Sequence, residues 1–230
     1  METQQRIHIA LIPDGNRRWA EKHKKPVWYG HLIGAQRMEQ FARWCLSDPE
    51  IKTVSIYALS TENLKRSDVE LDKLWDIYKR ELGKLKTDKD IIEKKVKVNV
   101  LGDTTTWRSD VRTTAKELMG ATRQYGGRVL NVLVSYGSKF EILNAMKKAV
   151  KFGVKKIPFA ESMFHKFLMV TQPVDLIIRT GGQHRISNFL LYQAAYAELY
   201  FTDKLWPDFT KKDFEKALKW YKAQQRKFGK

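Results

Sequence analysis

The chain has 230 residues, 43% of them hydrophobic and 12% aromatic. This composition supports one substantial core, and we expect a single domain over residues 1–230. The formal net charge of +17 is typical of proteins that bind anions, whether nucleic acids, lipid headgroups or phosphorylated small molecules. No apolar run approaches the ~18 residues of a membrane span and no signal peptide is recognisable, so a cytoplasmic location is predicted. The single cysteine, Cys45, excludes internal disulfides and cysteine-based metal sites.

Apolar runs with strand character alternate along the chain with runs of helical spacing. The predicted strands are 7–12, 53–59, 96–101, 129–135, 175–178 and 199–201. Between the second and third strands, residues 68–85 carry apolar side chains on one stripe, as in an amphipathic helix. This alternation predicts an α/β fold with a central, mostly parallel six-stranded sheet flanked by helices.

The C-terminal stretch 211–230 is strongly basic, with eight basic and two acidic residues. Phe214, Leu218 and Tyr221 recur there at helical spacing, which gives a helix with one apolar face. Such a helix either docks on the protein core or makes a peripheral contact with a membrane surface, and the sequence leaves both alternatives open.

Polar and charged residues follow several of the predicted strands. Asp14 and Gly15 come after the first strand together with two arginines, and Ser60 and Asn63 follow the second. The fifth strand leads into RTGGQHRIS (179–187), which holds two more arginines. Because ligands of such sheets bind outside the carboxyl ends of the strands, we expect these residues to meet at one edge.

Arginines beside glycine-borne backbone amides suit phosphate oxygens, because the guanidinium donates two parallel hydrogen bonds and a bare backbone approaches closely. An aspartate in such a cluster would repel the anion unless a hard cation bridged the two, and Mg²⁺ is usually held by one or two carboxylates plus substrate phosphates. The sequence therefore indicates a magnesium–diphosphate site, and its separate clusters indicate two anionic substrates. Nucleic acid would account for the charge but not for these clusters, so no specific nucleic-acid partner is predicted.

In its motifs the chain resembles the cis-prenyltransferases, the family of undecaprenyl and dehydrodolichyl diphosphate synthases. The resemblance rests on HIALIPDGNRRWA, GHLIGA, YALSTENLKRS, LGD, VDLIIRTGGQHRISNFLLYQAAYAELYFTDKLWPDF and the terminal KFG, in the family's order and spacing. It implies a Mg²⁺-dependent enzyme that joins an allylic prenyl diphosphate to isopentenyl diphosphate, in cis head-to-tail fashion, and releases diphosphate. It also implies that residues 1–230 form a single catalytic domain, that the chain is a homodimer, and that a hydrophobic tunnel leads from the carboxyl edge of the sheet.

The resemblance also assigns roles to individual residues. Asp14 matches the Mg²⁺ ligand, and Glu198 matches a second metal-linked carboxylate. Ser60 and Asn63 match a polar loop between the substrates that assists loss of a proton. The residues matched to the allylic diphosphate site are Gly15, Asn16, Arg17, Arg18, Trp19, His31 and Arg66. Those matched to the second diphosphate are Arg179, Arg185 and Ser187.

Several aromatic residues invite two interpretations. Trp19 and Tyr57 either face the allylic carbocation or pack in the core. Trp75 and Tyr78, on the predicted helix 68–85, either fill the tunnel and limit the product to a short or medium chain, or pack away from it. The apolar region 188–201 is the candidate for the dimer interface, with a place in the core as its alternative.

The chain departs from the family pattern around the allylic site. The departing residues are Val27, Leu64, Ser67, Ser135, Ser138, Lys139, Gln183 and Lys227. Four of them, Val27, Leu64, Ser67 and Ser135, motivate a second function, the irregular, lavandulyl-type coupling of dimethylallyl diphosphate with a longer allylic diphosphate. A noncatalytic partner subunit is the third alternative, although such subunits typically lack the aspartate that is present here as Asp14.

Overall fold

The computed structural model describes residues 6–151 and 161–224. Its strands are β1 (Ile7–Ile12), β2 (Ile51–Tyr57), β3 (Val96–Leu101), β4 (Arg128–Leu133), β5 (Leu176–Arg179) and β6 (Glu198–Phe201). Its α-helices are α1 (Asn16–Lys22), α2 (Val27–Ser47), α3 (Asp68–Leu85), α4 (Lys89–Glu93), α5 (Ser109–Thr122), α6 (Ser138–Lys151), α7 (Glu161–Phe164) and α8 (Lys211–Lys222).

The six strands form one sheet in the order β3-β4-β2-β1-β5-β6, and every neighbouring pair is parallel. The predicted α/β fold is thereby confirmed. The second strand was predicted two residues too far along, because Ile51 already pairs with Ile7. At its other end, the N–H groups of Ala58 and Leu59 both donate to the Leu133 carbonyl, which ends the regular ladder.

Alternate residues of β1 face opposite sides of the sheet. Ile9 and Leu11 join the larger core, which α2, α3, α5 and α8 cover. Ala10 and Ile12 join a smaller core that contains Phe189. The strands are therefore apolar on both faces, as expected for a parallel sheet covered by helices.

A buried polar ladder crosses the sheet on the side of the smaller core. The His8 ring accepts at Nε2 from the Ser55 hydroxyl (2.8 Å) and donates from Nδ1 to the Pro173 carbonyl (2.9 Å). Asn131 donates to the same Ser55 oxygen (3.0 Å). Burial lowers the pKa of His8 to about 4, so this ladder is built around a neutral imidazole.

Helix α8 docks on the core through its apolar face. Phe214, Leu218 and Tyr221 are all buried, and a capping box between Thr210 and Asp213 fixes where the helix begins. The docking interpretation is confirmed for the described part of the stretch, and these side chains are not available to a membrane. Within the residues that the structure describes, no helix has the length and apolar character to cross a bilayer.

Candidate active site

A cavity of about 570 Å³ lies between the sheet and helices α2 and α3. Strands β2 and β4 contribute Ile56, Leu130 and Val132 to its wall. The lining positions of α2 are 31, 35, 38, 39 and 42, and those of α3 are 74, 77, 78, 81, 82, 84 and 85. Both sets follow one helical face, so the cavity runs along the two helices for about 16 Å, the rise of eleven residues.

Asp14 lies at the mouth of this cavity, between two arginines. Its Oδ1 accepts from Arg18 Nη2 (3.1 Å) and its Oδ2 from Arg179 Nη2 (2.9 Å). Thr180 fixes the Asp14 backbone, because its hydroxyl accepts from the Asp14 N–H (3.0 Å) and donates to the Asp14 carbonyl (2.8 Å). The structure thus joins one arginine from each predicted cluster through a single carboxylate.

The loop between β1 and α1 forms a second, polar pocket of about 400 Å³ beside the mouth. Its wall includes Arg17, Arg18, His31 and Arg66 together with the backbone of residues 13–16. Gly15 precedes α1 with a φ of 118°, which L residues rarely adopt. Three cations, two of them largely exposed, therefore surround a space that fits a diphosphate.

Glu70 contacts three residues of this pocket and was missed in the sequence. Its Oε1 accepts from His31 Nε2 (3.0 Å) and forms ion pairs with Arg66 Nη1 (3.0 Å) and Arg17 Nε (4.0 Å). Burial lowers the pKa of His31, although the hydrogen bond to Glu70 opposes that shift. The available signal was its position four residues after Arg66 in the first turn of α3, where helical side chains meet.

The loop after β2 brings Ser60 and Asn63 to the cavity wall. Ser60 Oγ accepts from the Asn63 backbone N–H (3.1 Å), which holds both side chains in one turn. Tyr57 also lines the cavity, and its ring stacks on Phe189 with centroids 4.5 Å apart. Its hydroxyl donates to the Ser187 carbonyl (3.3 Å) and so connects this wall to the second cluster.

Arg179 is almost fully buried and carries an unpaired donor. Its Nη1 donates to Ser187 Oγ (2.8 Å) and to the Arg185 carbonyl, whereas its Nε has no partner among the described atoms. Ser187 and Asn188 adopt left-handed backbone conformations, with φ of 48° and 62°. Strained backbone of this kind is retained where it positions functional groups, and the guanidinium of Arg179 at the mouth favours an anionic ligand.

Residues 12–229 match a family model described as "putative undecaprenyl diphosphate synthase". The chain belongs to the undecaprenyl diphosphate synthase family. A tritrans,polycis-undecaprenyl-diphosphate synthase (geranylgeranyl-diphosphate specific) of Pyrococcus abyssi is 43% identical over 96% of this chain and 86% of its own length. The synthase of the same name from Methanocaldococcus jannaschii is 38% identical over 97% of this chain and 82% of its own length.

The fold of the family is also seen in a solved structure. Lavandulyl diphosphate synthase from Lavandula x intermedia, crystallised with dimethylallyl diphosphate, superposes with a TM-score of 0.87 at 28% identity over the whole of both chains. Membership of the undecaprenyl diphosphate synthase family makes this chain a prenyltransferase enzyme, so the noncatalytic alternative is wrong.

A divalent metal, usual for prenyltransferases, fits Asp14 under one condition. The described residues contain no group of three or more His, Cys, Asp or Glu side chains that could hold a metal ion. Asp14 supplies one partly exposed carboxylate beside arginines suited to a diphosphate. That donor set fits Mg²⁺ when diphosphate oxygens complete the coordination, which is the usual arrangement for this ion.

Glu198 lies away from Asp14 within this chain, and its match to a second metal-linked carboxylate stays a prediction. It is the first residue of β6 and pairs with Leu176, which in turn pairs with Ile9. Asp14 lies beyond Ile12, the last residue of β1. Ile12 lies three positions after Ile9 in β1, so Glu198 lies at least about 10 Å nearer the amino edge of the sheet than Asp14 does.

Two residues predicted for the diphosphate sites lie off both pockets. The Trp19 indole N–H donates to Asp208 Oδ1 (2.7 Å), and its ring stacks on His23, because one further step along α1 turns it away from Arg18. The exposed Arg185 guanidinium donates to Gln183 Oε1 (2.6 Å). The structure therefore does not place Trp19 or the Arg185 side chain at the mouth.

Only one of the two predicted tunnel rings reaches the cavity. Tyr78 lines it, and its hydroxyl donates to the Ala58 carbonyl (2.7 Å). Burial raises the pKa of Tyr78, which keeps this donor protonated. Trp75 is buried in the larger core, edge-on to Tyr78 with centroids 5.9 Å apart, so the prediction that it fills the tunnel is wrong.

The family departures have structural roles where the structure describes them. Ser67 caps α3 by accepting from the Glu70 N–H, and Leu64 packs against the larger core. Val27 is the first residue of α2. Ser135 is buried in a left-handed conformation. Lys227 lies outside the described residues.

Proposed function

We propose that this chain condenses isopentenyl diphosphate with geranylgeranyl diphosphate, in cis head-to-tail fashion and with Mg²⁺. The observation that carries the proposal is the Asp14 carboxylate, held between Arg18 and Arg179 at the mouth of an apolar cavity. Archaeal relatives at 43% and 42% identity are named for geranylgeranyl diphosphate. The apolar part of the cavity, which runs along α2 and α3 behind this mouth, gives room for a prenyl chain.

In this proposal the allylic diphosphate occupies the polar pocket and its prenyl chain fills the cavity. Arg17, Arg18 and Arg66 donate to the diphosphate oxygens, and these bonds strengthen as the carbon–oxygen bond breaks and charge moves onto the leaving group. A bound Mg²⁺ would supply further charge stabilisation from its place on Asp14. Apolar walls around the first carbons exclude water, which protects the carbocation character from hydrolysis.

The second diphosphate lies at Arg179 and Ser187, which both line the cavity, and Arg179 is bonded to Asp14. The double bond of isopentenyl diphosphate attacks the allylic carbon, a new carbon–carbon bond forms, and a proton leaves C2. Ser60 and Asn63 line the cavity, between the two diphosphate sites of this proposal. They orient the group that accepts the proton, which we take to be a diphosphate oxygen. The Arg185 side chain joins this site only by turning away from Gln183.

We propose a product of undecaprenyl length rather than the short or medium chain predicted from Trp75 and Tyr78. The support is the loss of Trp75 as a plug and the product named for the archaeal relatives. Regular condensation is also favoured over irregular coupling. Relatives named for undecaprenyl diphosphate share 37–43% identity with this chain, whereas the lavandulyl enzyme shares 28%.

We also propose a homodimer. Leu143, Met146 and Val150 on α6 are each more than half exposed, and Leu191 and Leu199 are exposed in the region 188–201. Exposed apolar side chains in such numbers mark interaction surfaces, whereas Phe189 and Leu190 of the same region are buried in the core. Light scattering should give a molar mass twice that of one chain, and the Leu143→Glu substitution should lower this mass toward that of one chain. A wild-type protein with the mass of a single chain would refute the dimer.

The single catalytic domain and the cytoplasmic location remain predictions.

A substrate panel tests the proposed reaction. The protein is incubated with Mg²⁺ and dimethylallyl, geranyl, farnesyl or geranylgeranyl diphosphate, each with and without isopentenyl diphosphate, and products are identified by mass spectrometry. We expect product only with isopentenyl diphosphate and the highest kcat/KM with geranylgeranyl diphosphate. Coupling of two allylic diphosphates without isopentenyl diphosphate would establish the irregular reaction instead.

A further inference from the structure

The far end of the cavity is charged, unlike its middle. Around Ala42 and Leu85, the wall includes acidic and basic side chains: Glu39 from α2, Glu81 and Lys84 from α3, and Asp88, the residue that caps α4. This end lies about 16 Å from the mouth along the helices. A prenyl chain that fills the cavity therefore ends against charges rather than against apolar side chains.

Arg43, on the side of α2 next to this end, connects the carboxylates. Its Nη2 donates to Asp88 Oδ2 (2.6 Å) and to Glu39 Oε1 (3.0 Å), and its Nη1 donates to Asp90. Asp88 Oδ1 meanwhile accepts from the Ile91 N–H (3.1 Å) and caps α4. One guanidinium thus holds the start of α4 against α2. We call the group of Arg43, Glu39, Asp88 and Asp90 the end clamp.

We propose that Arg43 is a specificity-determining residue that sets product length by holding Asp88 across the far end of the cavity. The inference rests on the proposed function. The cavity runs along the helices for about 16 Å, which is shorter than an extended chain of fifty-five carbons, so such a chain extends beyond it. Each further five-carbon unit must pass between α2 and α4, and this separates Arg43 from Asp88.

The clamp slows this passage without blocking it. The Arg43 side chain is 41% exposed and that of Asp88 15% exposed, and ion pairs with this access to water open readily. Chains longer than the cavity therefore form, but at each addition product release competes with clamp opening. A weaker clamp should shift that competition toward elongation.

Two variants remove the contact from opposite sides. Arg43→Met keeps the apolar stem and removes the guanidinium. Asp88→Asn removes the charge while its Oδ1 still accepts from Ile91. With geranylgeranyl diphosphate and excess isopentenyl diphosphate, both variants should lengthen the most abundant product by one or more five-carbon units at matched conversion. Arg43→Lys, which reaches only one carboxylate at a time, should give a smaller shift.

Arg108→Met is the matched control. Arg108 also joins two helical elements through carboxylates, donating to Asp76 Oδ1 and to Asp110 Oδ1, each at 2.8 Å. Neither Arg108 nor its partners Asp76 and Asp110 line the cavity, whereas Asp88 and Glu39, the partners of Arg43, do. The Arg108→Met substitution removes a group of ion pairs comparable to that of Arg43 and should leave the product distribution unchanged.

The outcomes separate the clamp from the proposed function. Wild-type product lengths in Arg43→Met and Asp88→Asn would overturn the clamp while leaving prenyl transfer intact. A wild-type protein that incorporates no isopentenyl diphosphate would overturn the proposed function itself. Circular dichroism checks folding, and if Arg43→Met does not fold, the comparison of Asp88→Asn with Arg43→Lys decides.

Discussion

Replacement of Arg179 by lysine keeps the positive charge at the mouth of the cavity but removes the guanidinium fork. Arg179 bonds Asp14 from Nη2 (2.9 Å) and Ser187 from Nη1 (2.8 Å), and a single ammonium cannot reproduce both directions. At least one charge-assisted hydrogen bond is lost, at a cost of about 1.5–3 kcal/mol. At 1.36 kcal/mol for each factor of ten, kcat/KM for isopentenyl diphosphate should fall by about 10- to 150-fold.

Initial rates at varied isopentenyl diphosphate and saturating allylic substrate measure this change. Arg128→Lys is the control, because Arg128 is also a strand arginine, and it donates to the carbonyls of Cys45, Leu46 and Asp48 at the amino edge of the sheet. It should leave kcat/KM within about threefold of wild type. Equal losses in the two variants, or a loss below threefold in Arg179→Lys, would refute the assignment of Arg179 to the second diphosphate.

Three other predictions concern the mouth and the core. Gly15→Ala places a Cβ 2.9 Å from Leu205 Cδ2 at a φ of +118°, so the free energy of unfolding should fall by at least about 1–2 kcal/mol in denaturant titrations. Titration calorimetry should detect Mg²⁺ binding only with inorganic diphosphate present, since Asp14 otherwise pairs with two arginines, and Asp14→Asn should abolish it; equally tight binding without diphosphate would contradict this. The pKa of His8 is lowered from 6.5 to about 4, so the unfolded chain takes up the proton first and stability falls as pH drops below 6.5, by about 2 kcal/mol at pH 5; a His8→Asn variant should lose this part of the pH dependence, and an unchanged slope would refute it.

The fold and the diphosphate loops could be predicted because they depend on local sequence. The apolar stripe of 68–85 gave the bounds of α3 as observed. Strand ends were less accurate, since the ladder of β2 ends where two N–H groups share the Leu133 carbonyl, a long-range contact without a local signal. Asp14 and Arg179 were placed together because the carboxyl ends of parallel strands share an edge.

Other positions could not be predicted because tertiary placement decides them. Glu198 matches a motif residue, and within one chain the strand register puts it toward the amino edge of the sheet, which no local pattern indicates. Trp75 and Tyr78 are neighbours on one stripe, yet the cavity covers only part of that stripe and the core the rest. Glu70 escaped notice because an acidic residue in the first turn of a helix is favoured by the helix dipole alone. Only the fold shows that it contacts His31 and Arg66.

The double bond formed in the first condensation tests the central claim most directly. Geranylgeranyl diphosphate and limiting isopentenyl diphosphate are converted with Mg²⁺ by the wild-type protein, and the product one unit longer is isolated and analysed by NMR. The account predicts a head-to-tail product whose new double bond is cis. A trans double bond, or a carbon skeleton joined in any other way, would contradict it.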